Sequence, residues 1–275
     1  MPELPEVETI CRHMRDGTPT SPSILGFVID NAQVLWPRTL AMPGAEEFSK
    51  RLPGQAIKDI TRRGKFVILG LTTDSLLIHL RMSGDLLVEA TKVPPALHHR
   101  VLINFQNGMR LSFNDTRKFG RIWLVDEPQR VIGDLGPEPL NPDFTADQLH
   151  QRLQLTRRQL KPLLLDQTFL AGLGNIYVDE SLNLARLHPL ESSQQITEQQ
   201  AVRLLDSIRL VLNEAIRRNG ASIDWVYRGG DFQNYFRAYN REGQPCLECG
   251  TPIQRIKVGQ RGTHFCPQCQ KLTTK

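Results

Sequence analysis

Gly133-Asp134-Leu135-Gly136-Pro137-Glu138-Pro139-Leu140-Asn141-Pro142 places two glycines and three prolines within ten residues. Proline supplies no backbone donor, and residues before it avoid the helical region, so this stretch ends whatever precedes it. It reads as a linker, 133–143, and the patterns on its two sides differ. Upstream, Val101–Phe105 and Met109–Phe113 flank Asn107-Gly108, the strongest short hairpin signal available. Lys65–Leu71 and Leu76–Leu80 are short apolar runs joined by Thr72-Thr73-Asp74. Strand patterning spans roughly Ile24 to Val125, behind a helix with an acidic entry at Pro5-Glu6-Val7-Glu8. Residues 1–132 therefore form a β-rich domain.

Downstream the period becomes helical. Leu149 and Leu153 mark one segment, Leu160, Leu163 and Leu164 a second, and Ile176–Leu184 a third. The longest, Glu198–Arg218, carries Val202, Leu205, Ile208, Leu212, Ala215 and Ile216 and stops at Gly220. This gives a helical domain over 144–221, a loop rich in glycine and aromatics over 222–239, and a cysteine-bearing module over 240–275.

Composition narrows the class. With 40% hydrophobic and 23% charged residues, the 275-residue chain can bury a sizeable core and is not broadly disordered. No apolar run approaches the ~20 residues that cross a bilayer, so no membrane is expected. Met1-Pro-Glu-Leu-Pro-Glu6 opens acidic where a signal peptide would be basic, which predicts a cytoplasmic protein. The net charge of +5 is unevenly spread: from Arg217 onward stand ten Lys/Arg against four Asp/Glu, while the rest is close to neutral. A polyanion partner is therefore sought in the last fifth, against the plain alternative of a solvated basic tail.

Four of five cysteines fall in that fifth, as Cys246-x2-Cys249, sixteen residues, then Cys266-x2-Cys269. The spacing matches a four-thiolate zinc site. Such a set leaves no open coordination position, so one structural Zn2+ is expected. Cys11 stands apart and reads as a small buried hydrophobe.

At the other end Pro2 follows Met1. Removal of Met1 would expose a secondary amine, and α-amino groups titrate at about 7.7–8.0 against ~10.4 for lysine. Such an amine is partly nucleophilic at neutral pH and can condense with an aldehyde-level carbon. Glu3 and Glu6 are near enough to move protons beside it. For an isolated Pro-Glu pair, the plain reading is simply a helix start.

Taken with its neighbours, the pair means more. Met1-Pro-Glu-Leu-Pro-Glu-Val-Glu-Thr9 resembles the amino-terminal signature of the formamidopyrimidine-DNA glycosylase family. The resemblance continues through His79-Leu-Arg-Met-Ser-Gly84, Asp115-Thr-Arg-Lys-Phe-Gly120, Leu135-Gly-Pro-Glu-Pro-Leu140, Gly172-Leu-Gly-Asn-Ile-Tyr177 and Gln260-Arg-Gly-Thr-His-Phe-Cys266, in family order. It implies an α+β protein: an N-terminal β-sandwich with flanking helices, then a helical helix–two-turn–helix domain ending in a four-cysteine zinc ribbon. It also implies a bifunctional enzyme acting as a monomer on double-stranded DNA. Oxidised purines (8-oxoguanine, formamidopyrimidines) are excised through a Schiff base on the N-terminal proline, and the abasic strand is cleaved by β,δ-elimination.

The same resemblance assigns roles. Pro2 is the nucleophile, and Glu3, Lys65 and Arg261 are the proton donors, with Lys65 supporting catalysis from a hairpin. His98, Arg117, Lys161, Asn175 and Arg261 contact DNA, Asn175 and Arg261 at phosphate. Met82, Arg117 and Phe119 are intercalating residues that fill the space left by an extruded base. Each has a plainer alternative: an exposed strand-start lysine for Lys65, a helix-surface lysine for Lys161, core packing for Met82, a loop histidine for His98, a solvated hairpin charge for Arg261. Gly172-x-Gly174 is not a dinucleotide fingerprint, since Tyr177 replaces the third glycine and the flanks are helical. Two departures stand out, a Pro/Ser-rich stretch at 18–23 and Lys118 in place of the usual arginine. The rivals are an endonuclease VIII-like enzyme for oxidised pyrimidines, against which Leu4-Pro5 and the loop 228–235 weigh, a non-catalytic DNA-lesion-binding relative, and a bare zinc-ribbon module.

Overall fold

A computed structural model describes residues 1–222 and 229–273. They fall into two compact units: Met1–Asp134 with Ser222–Gly229, and Leu135–Ala221 with Gly230–Lys275. The first holds helix α1 (Leu4–Asp16), strands β1 (Ile29–Val34) and β2 (Leu40–Met42), and helix α2 (Ala45–Arg51). Strands β3 (Ile57–Arg63), β4 (Phe66–Leu71), β5 (Ser75–His79), β6 (Gly84–Ala90), β7 (His99–Phe105), β8 (Met109–Asp115) and β9 (Arg121–Val125) follow, then the short helix α3 (Gln129–Ile132). One sheet runs β1-β7-β8-β6 and the other β2-β9-β5-β4-β3. Their inner residues share one core, with Ile29, Ile103, Phe105 and Phe113 from the first sheet and Ile60, Leu69, Ile78 and Leu124 from the second. The sandwich expected from the resemblance is present.

The turn between β7 and β8 is the Asn107-Gly108 turn, with Gly108 at φ 80, where glycine meets no steric penalty. Helix α1 buries Val7, Ile10, Cys11 and Met14 against this core. Cys11 is buried as expected, and its thiol donates to the Thr61 carbonyl at 3.2 Å. Stretch 18–23 is a tight self-bonded turn: Thr18 N–H donates to the Ser21 carbonyl at 2.7 Å, and the Ser23 hydroxyl donates to the Arg15 carbonyl at the end of α1.

The second unit contains α4 (Ala146–Gln154), α5 (Leu160–Leu164), α6 (Asn175–Ala185), α7 (Glu198–Arg217) and the hairpin β10 (Gln254–Val258)–β11 (Arg261–Phe265). Helices α4 and α7 begin with capping boxes at Thr145 and Thr197, each satisfying two otherwise orphaned donors. The expected linker is ordered within this unit from Leu135 onward. Arg209 of α7 donates to the carbonyls of Pro139, Asn141 and Phe144, and Gly136 N–H donates to the Gln167 carbonyl. The expected separate ribbon module also belongs to this unit, as does the loop from Gly230 onward. Residues 223–228 of the expected loop 222–239 lie outside the described residues. No described helix is long and apolar enough to cross a membrane.

Candidate active site and DNA-contacting surfaces

The N-terminal residues are fixed by the start of α1. Glu3 occupies the N-cap, and its backbone N–H donates to the Glu6 carboxylate at 2.8 Å, one half of a capping box. Pro2, Glu3 and Glu6 are all buried, while Met1 is exposed. The helix is tied to the β3–β4 turn by Glu8, whose carboxylate accepts from Arg62 at 3.1 Å. Arg62 also donates to the Gly64 carbonyl at 3.1 Å, fixing the turn from which Lys65 emerges. Lys65 is only 6% exposed, so the reading of a solvated strand-start lysine does not hold.

Lys65 lies near enough to act on His79 electrostatically. Burial, reinforced by the Arg81 and Lys65 charges, pushes the His79 imidazole down to about 3. The ring is therefore neutral at physiological pH, and its Nδ1 accepts the Arg81 backbone N–H at 3.0 Å. This contact seats Arg81 at φ 54, a left-handed conformation uncommon outside glycine, just before Met82.

Met82 and Phe119 are 41% and 55% exposed, so both present large apolar surface to solvent, and core packing is excluded for Met82. Arg117 lies beside Met82, its Nη1 3.6 Å from the Met82 sulfur. Both loops converge on Asp115, which is fully buried. Its Oδ1 accepts from the Ser83 hydroxyl and, at 3.1 Å, from the Arg117 backbone N–H; its Oδ2 accepts the Gly120 N–H at 2.8 Å. The Asp115 backbone N–H donates to the His98 carbonyl at 2.9 Å, and its carbonyl accepts from Arg100 at 2.7 Å. His98 is half-buried, with Nδ1 3.3 Å from Arg100 Nη2. Lys118 covers the Trp36 ring at 3.9 Å.

In the second unit Lys161 is fully buried, not on the helix surface. Its ammonium donates to Asp179 Oδ1 at 2.6 Å and to the Gly262 carbonyl at 3.0 Å. Asn175, the first residue of α6, donates to the same carbonyl at 3.1 Å. Gly262 follows Arg261, which is exposed at the start of β11, so Lys161 and Asn175 together fix the backbone that carries this guanidinium. Asp179 Oδ2 accepts the His264 N–H at 2.9 Å. Glu180 accepts three consecutive backbone N–H groups, from Arg237, Ala238 and Tyr239, at 2.7, 2.9 and 2.7 Å. Asn183 donates to Gln270 at 2.9 Å. Helix α6 thus anchors the ribbon with Asp179 and Asn183 and the segment leading into it, 237–239, with Glu180. The reading of the sequence missed these three, together with Ser83 and Asp115. The visible signal was the acidic Asp115 opening an otherwise basic motif.

The ligand atoms of Cys246, Cys249, Cys266 and Cys269 lie within 4.8 Å of one another. Two of the sulfur pairs are 3.9 and 3.5 Å apart. A tetrahedron with Zn–S bonds of ~2.3 Å has edges of about 3.8 Å, so the thiolates fit zinc.

A sandwich bearing exposed apolar side chains, joined in one chain to a helical unit and a four-thiolate ribbon, suits a protein that works on DNA. Family models agree along the chain: formamidopyrimidine-DNA glycosylase N-terminal domain over residues 1–122, its H2TH domain over 135–226, and the zinc finger found in FPG and IleRS over 243–272. The chain is 41% identical to a formamidopyrimidine-DNA glycosylase of Pelotomaculum thermopropionicum (99% of this chain, 100% of the relative). It is 45% identical to that of Chloroflexus aurantiacus (98% of each). Among solved structures it superposes, at TM-score 0.91 and 38% identity, on Lactococcus lactis Fpg (MutM) in complex with DNA containing N7-benzyl-Fapy-dG, covering 98% of this chain and 100% of that one. An L. lactis Fpg complex with abasic-site DNA gives TM-score 0.90 at 38% identity, with the same coverage. The chain belongs to the formamidopyrimidine-DNA glycosylase family: it is a base-excision repair glycosylase with abasic-site lyase activity, its partner is DNA, and its four ribbon cysteines hold one structural zinc.

Proposed function

We propose that the chain excises 8-oxoguanine and formamidopyrimidines from duplex DNA with Pro2 as nucleophile and then opens the abasic strand by β,δ-elimination. The observation that carries this reading is the helix start. Pro2 immediately precedes a Glu3 that is held at the N-cap by Glu6, so an amine freed by removal of Met1 would sit beside an ordered carboxylate. The Pro2 nitrogen attacks C1′, the bond from C1′ to the base breaks, and the base leaves. Glu3 protonates the sugar ring oxygen as the ring opens to the iminium. Loss of a C2′ proton then expels the 3′ phosphate, and a second elimination expels the 5′ phosphate. Lys65 supports the proton transfers. Arg261 and Asn175 engage phosphate, as guanidinium and amide donors suit. Lys161 contributes to DNA binding through the Gly262 backbone. His98 contacts the strand, and Met82, Arg117 and Phe119 occupy the space the lesion vacates. The zinc is structural and takes no chemical step. The enzyme acts as a monomer on chromosomal DNA in the cytoplasm.

Borohydride trapping tests the nucleophile. With an 8-oxoguanine duplex the intact protein forms a covalent adduct through Pro2, and Pro2→Gly loses most of it. Undiminished adduct in the variant, mapped to a lysine, would overturn the assignment. Faster release of oxidised pyrimidines than of 8-oxoguanine would favour the endonuclease VIII-like alternative.

A further inference from the structure

We propose that Asp115, acting through Ser83, is a positioning residue that makes Met82, Arg117 and Phe119 enter the duplex as one rigid unit. The inference rests on the reading of these three as intercalating residues. Met82 stands on the β5–β6 loop and the other two on the β8–β9 loop, two segments more than thirty positions apart in sequence. Nothing local holds three flexible side chains of this kind in one geometry.

The Asp115 carboxylate does so from beneath. Oδ1 receives both the Ser83 hydroxyl and the Arg117 N–H, and the Ser83 oxygen also accepts that N–H at 3.1 Å, so the two loops share a three-centre contact. Oδ2 holds Gly120 on the far side of Phe119. Asp115 and Ser83 are 0% and 1% exposed, so water does not compete for these contacts.

The loops also have little room to relax. A Cβ at Gly84 would lie 2.5 Å from the Leu80 carbonyl oxygen, and one at Gly120 would lie 2.3 Å from the Phe113 ring. The Arg117–Met82 contact at 3.6 Å links the probes themselves at the surface. With an acceptor-only carboxylate at the centre and each oxygen engaged by donors, one loop cannot shift without breaking the bond that seats the other. Insertion is then a single event, and the opposite base is read only when the wedge is in place.

The test is a double-mutant cycle on single-turnover excision from a paired 8-oxoguanine duplex, using the zinc-loaded full chain. In the otherwise unaltered protein, Met82→Ala with Phe119→Ala is expected to cost about tenfold less than the product of the single effects, as residues acting as a unit do. In the Ser83→Ala background, which severs only the loop-to-loop link, the effects multiply to within about twofold. Ser83→Ala itself slows paired-duplex excision about tenfold, roughly the worth of a buried hydrogen bond to a charge. It slows nicking of a preformed abasic site several-fold less. Asp115→Asn reproduces the loss of coupling, because its amide turns a donor toward donors. Coupling that persists in Ser83→Ala, or equal slowing on both substrates, overturns the proposal. Met82→Ala and Phe119→Ala that leave paired-duplex excision untouched would instead overturn the intercalation reading beneath it.

Discussion

Acidification between pH 7 and pH 5 should destabilise this protein through His79, and the size of the effect follows from its surroundings. In the unfolded chain the imidazole titrates near 6.5, whereas in the fold burial, with Arg81 and Lys65 beside it, holds it down to about 3. A depressed folded value means that the neutral ring favours folding. Its contribution is fully present above 6.5 and is lost progressively as pH falls toward 3. At pH 5 the unfolded state is almost fully protonated at this site and the folded state is not, a gap of about 1.5 pH units, or about 2 kcal/mol. His79→Asn keeps an acceptor near the Nδ1 position for the Arg81 N–H but has no proton to gain. It forfeits the edge contact with Phe66, at a centroid distance of 4.8 Å, which lowers stability at every pH without changing the slope. Urea unfolding of both proteins at the two pH values isolates the term. Burial also lowers His99 and His188, but those contributions cancel between wild type and variant. The unaltered protein should lose about 2 kcal/mol more than the variant over this interval. Equal losses would show that His79 titrates normally and refute the reasoning.

Three further outcomes are expected. Cys249→Ser should lose zinc, measured by elemental analysis, and weaken DNA binding, since the metal supplies most of the ribbon's folding energy; zinc-free protein binding DNA normally would contradict this. Lys161→Met leaves Asp179 charged and buried, so chemical denaturation should register a loss of about 3–5 kcal/mol, whereas a loss under about 1 kcal/mol would mean the pair is solvated. Arg117 offers donors only, matching the adjacent O2 and N3 acceptors of an orphaned cytosine better than adenine, a preference of about 1–3 kcal/mol. Excision from 8-oxoguanine·C should therefore exceed that from 8-oxoguanine·A, and Arg117→Ala should narrow the ratio more than Met82→Ala; an unchanged ratio would refute the readout.

Local chemistry made part of this molecule legible from sequence. Asn107-Gly108 requires a positive φ that few residue pairs supply, and the spacing of the cysteines is set by one metal, so both were readable. The 20-residue α7 was readable because its apolar stripe runs its full length. Helix α2 was hidden inside strand-like surroundings, and hairpin β10–β11 was hidden because most of β10 faces solvent, breaking the alternation that marks strands. The linker looked free because glycine and proline say nothing of Arg209, about seventy positions on, which captures two of its carbonyls and that of Phe144 just beyond it. The same limit applies at the site. Lys161 in Gln-Leu-Lys-Pro gives no sign of Asp179, and Ser83 gives none of Asp115. Pairings across such distances are decided by topology, which local periodicity does not encode.

The anchoring of the ribbon on α6 also implies an order of assembly. The four thiolates are drawn from residues 246–269, a short loop whose closure is entropically cheap, whereas Glu180 and Asn183 reach partners 57 to 87 positions away. Metal capture can therefore proceed at the speed of a small loop, while docking must await a completed α6. During synthesis α6 emerges first, with Asp179 already within reach of Lys161 and Glu180 still lacking its backbone donors, and the ribbon closes around its ion afterwards. The last step is then the delivery of three backbone N–H groups to one waiting carboxylate. A kinetic experiment that starts zinc binding by rapid mixing should resolve a fast phase that depends on metal concentration, followed by a slower one that does not.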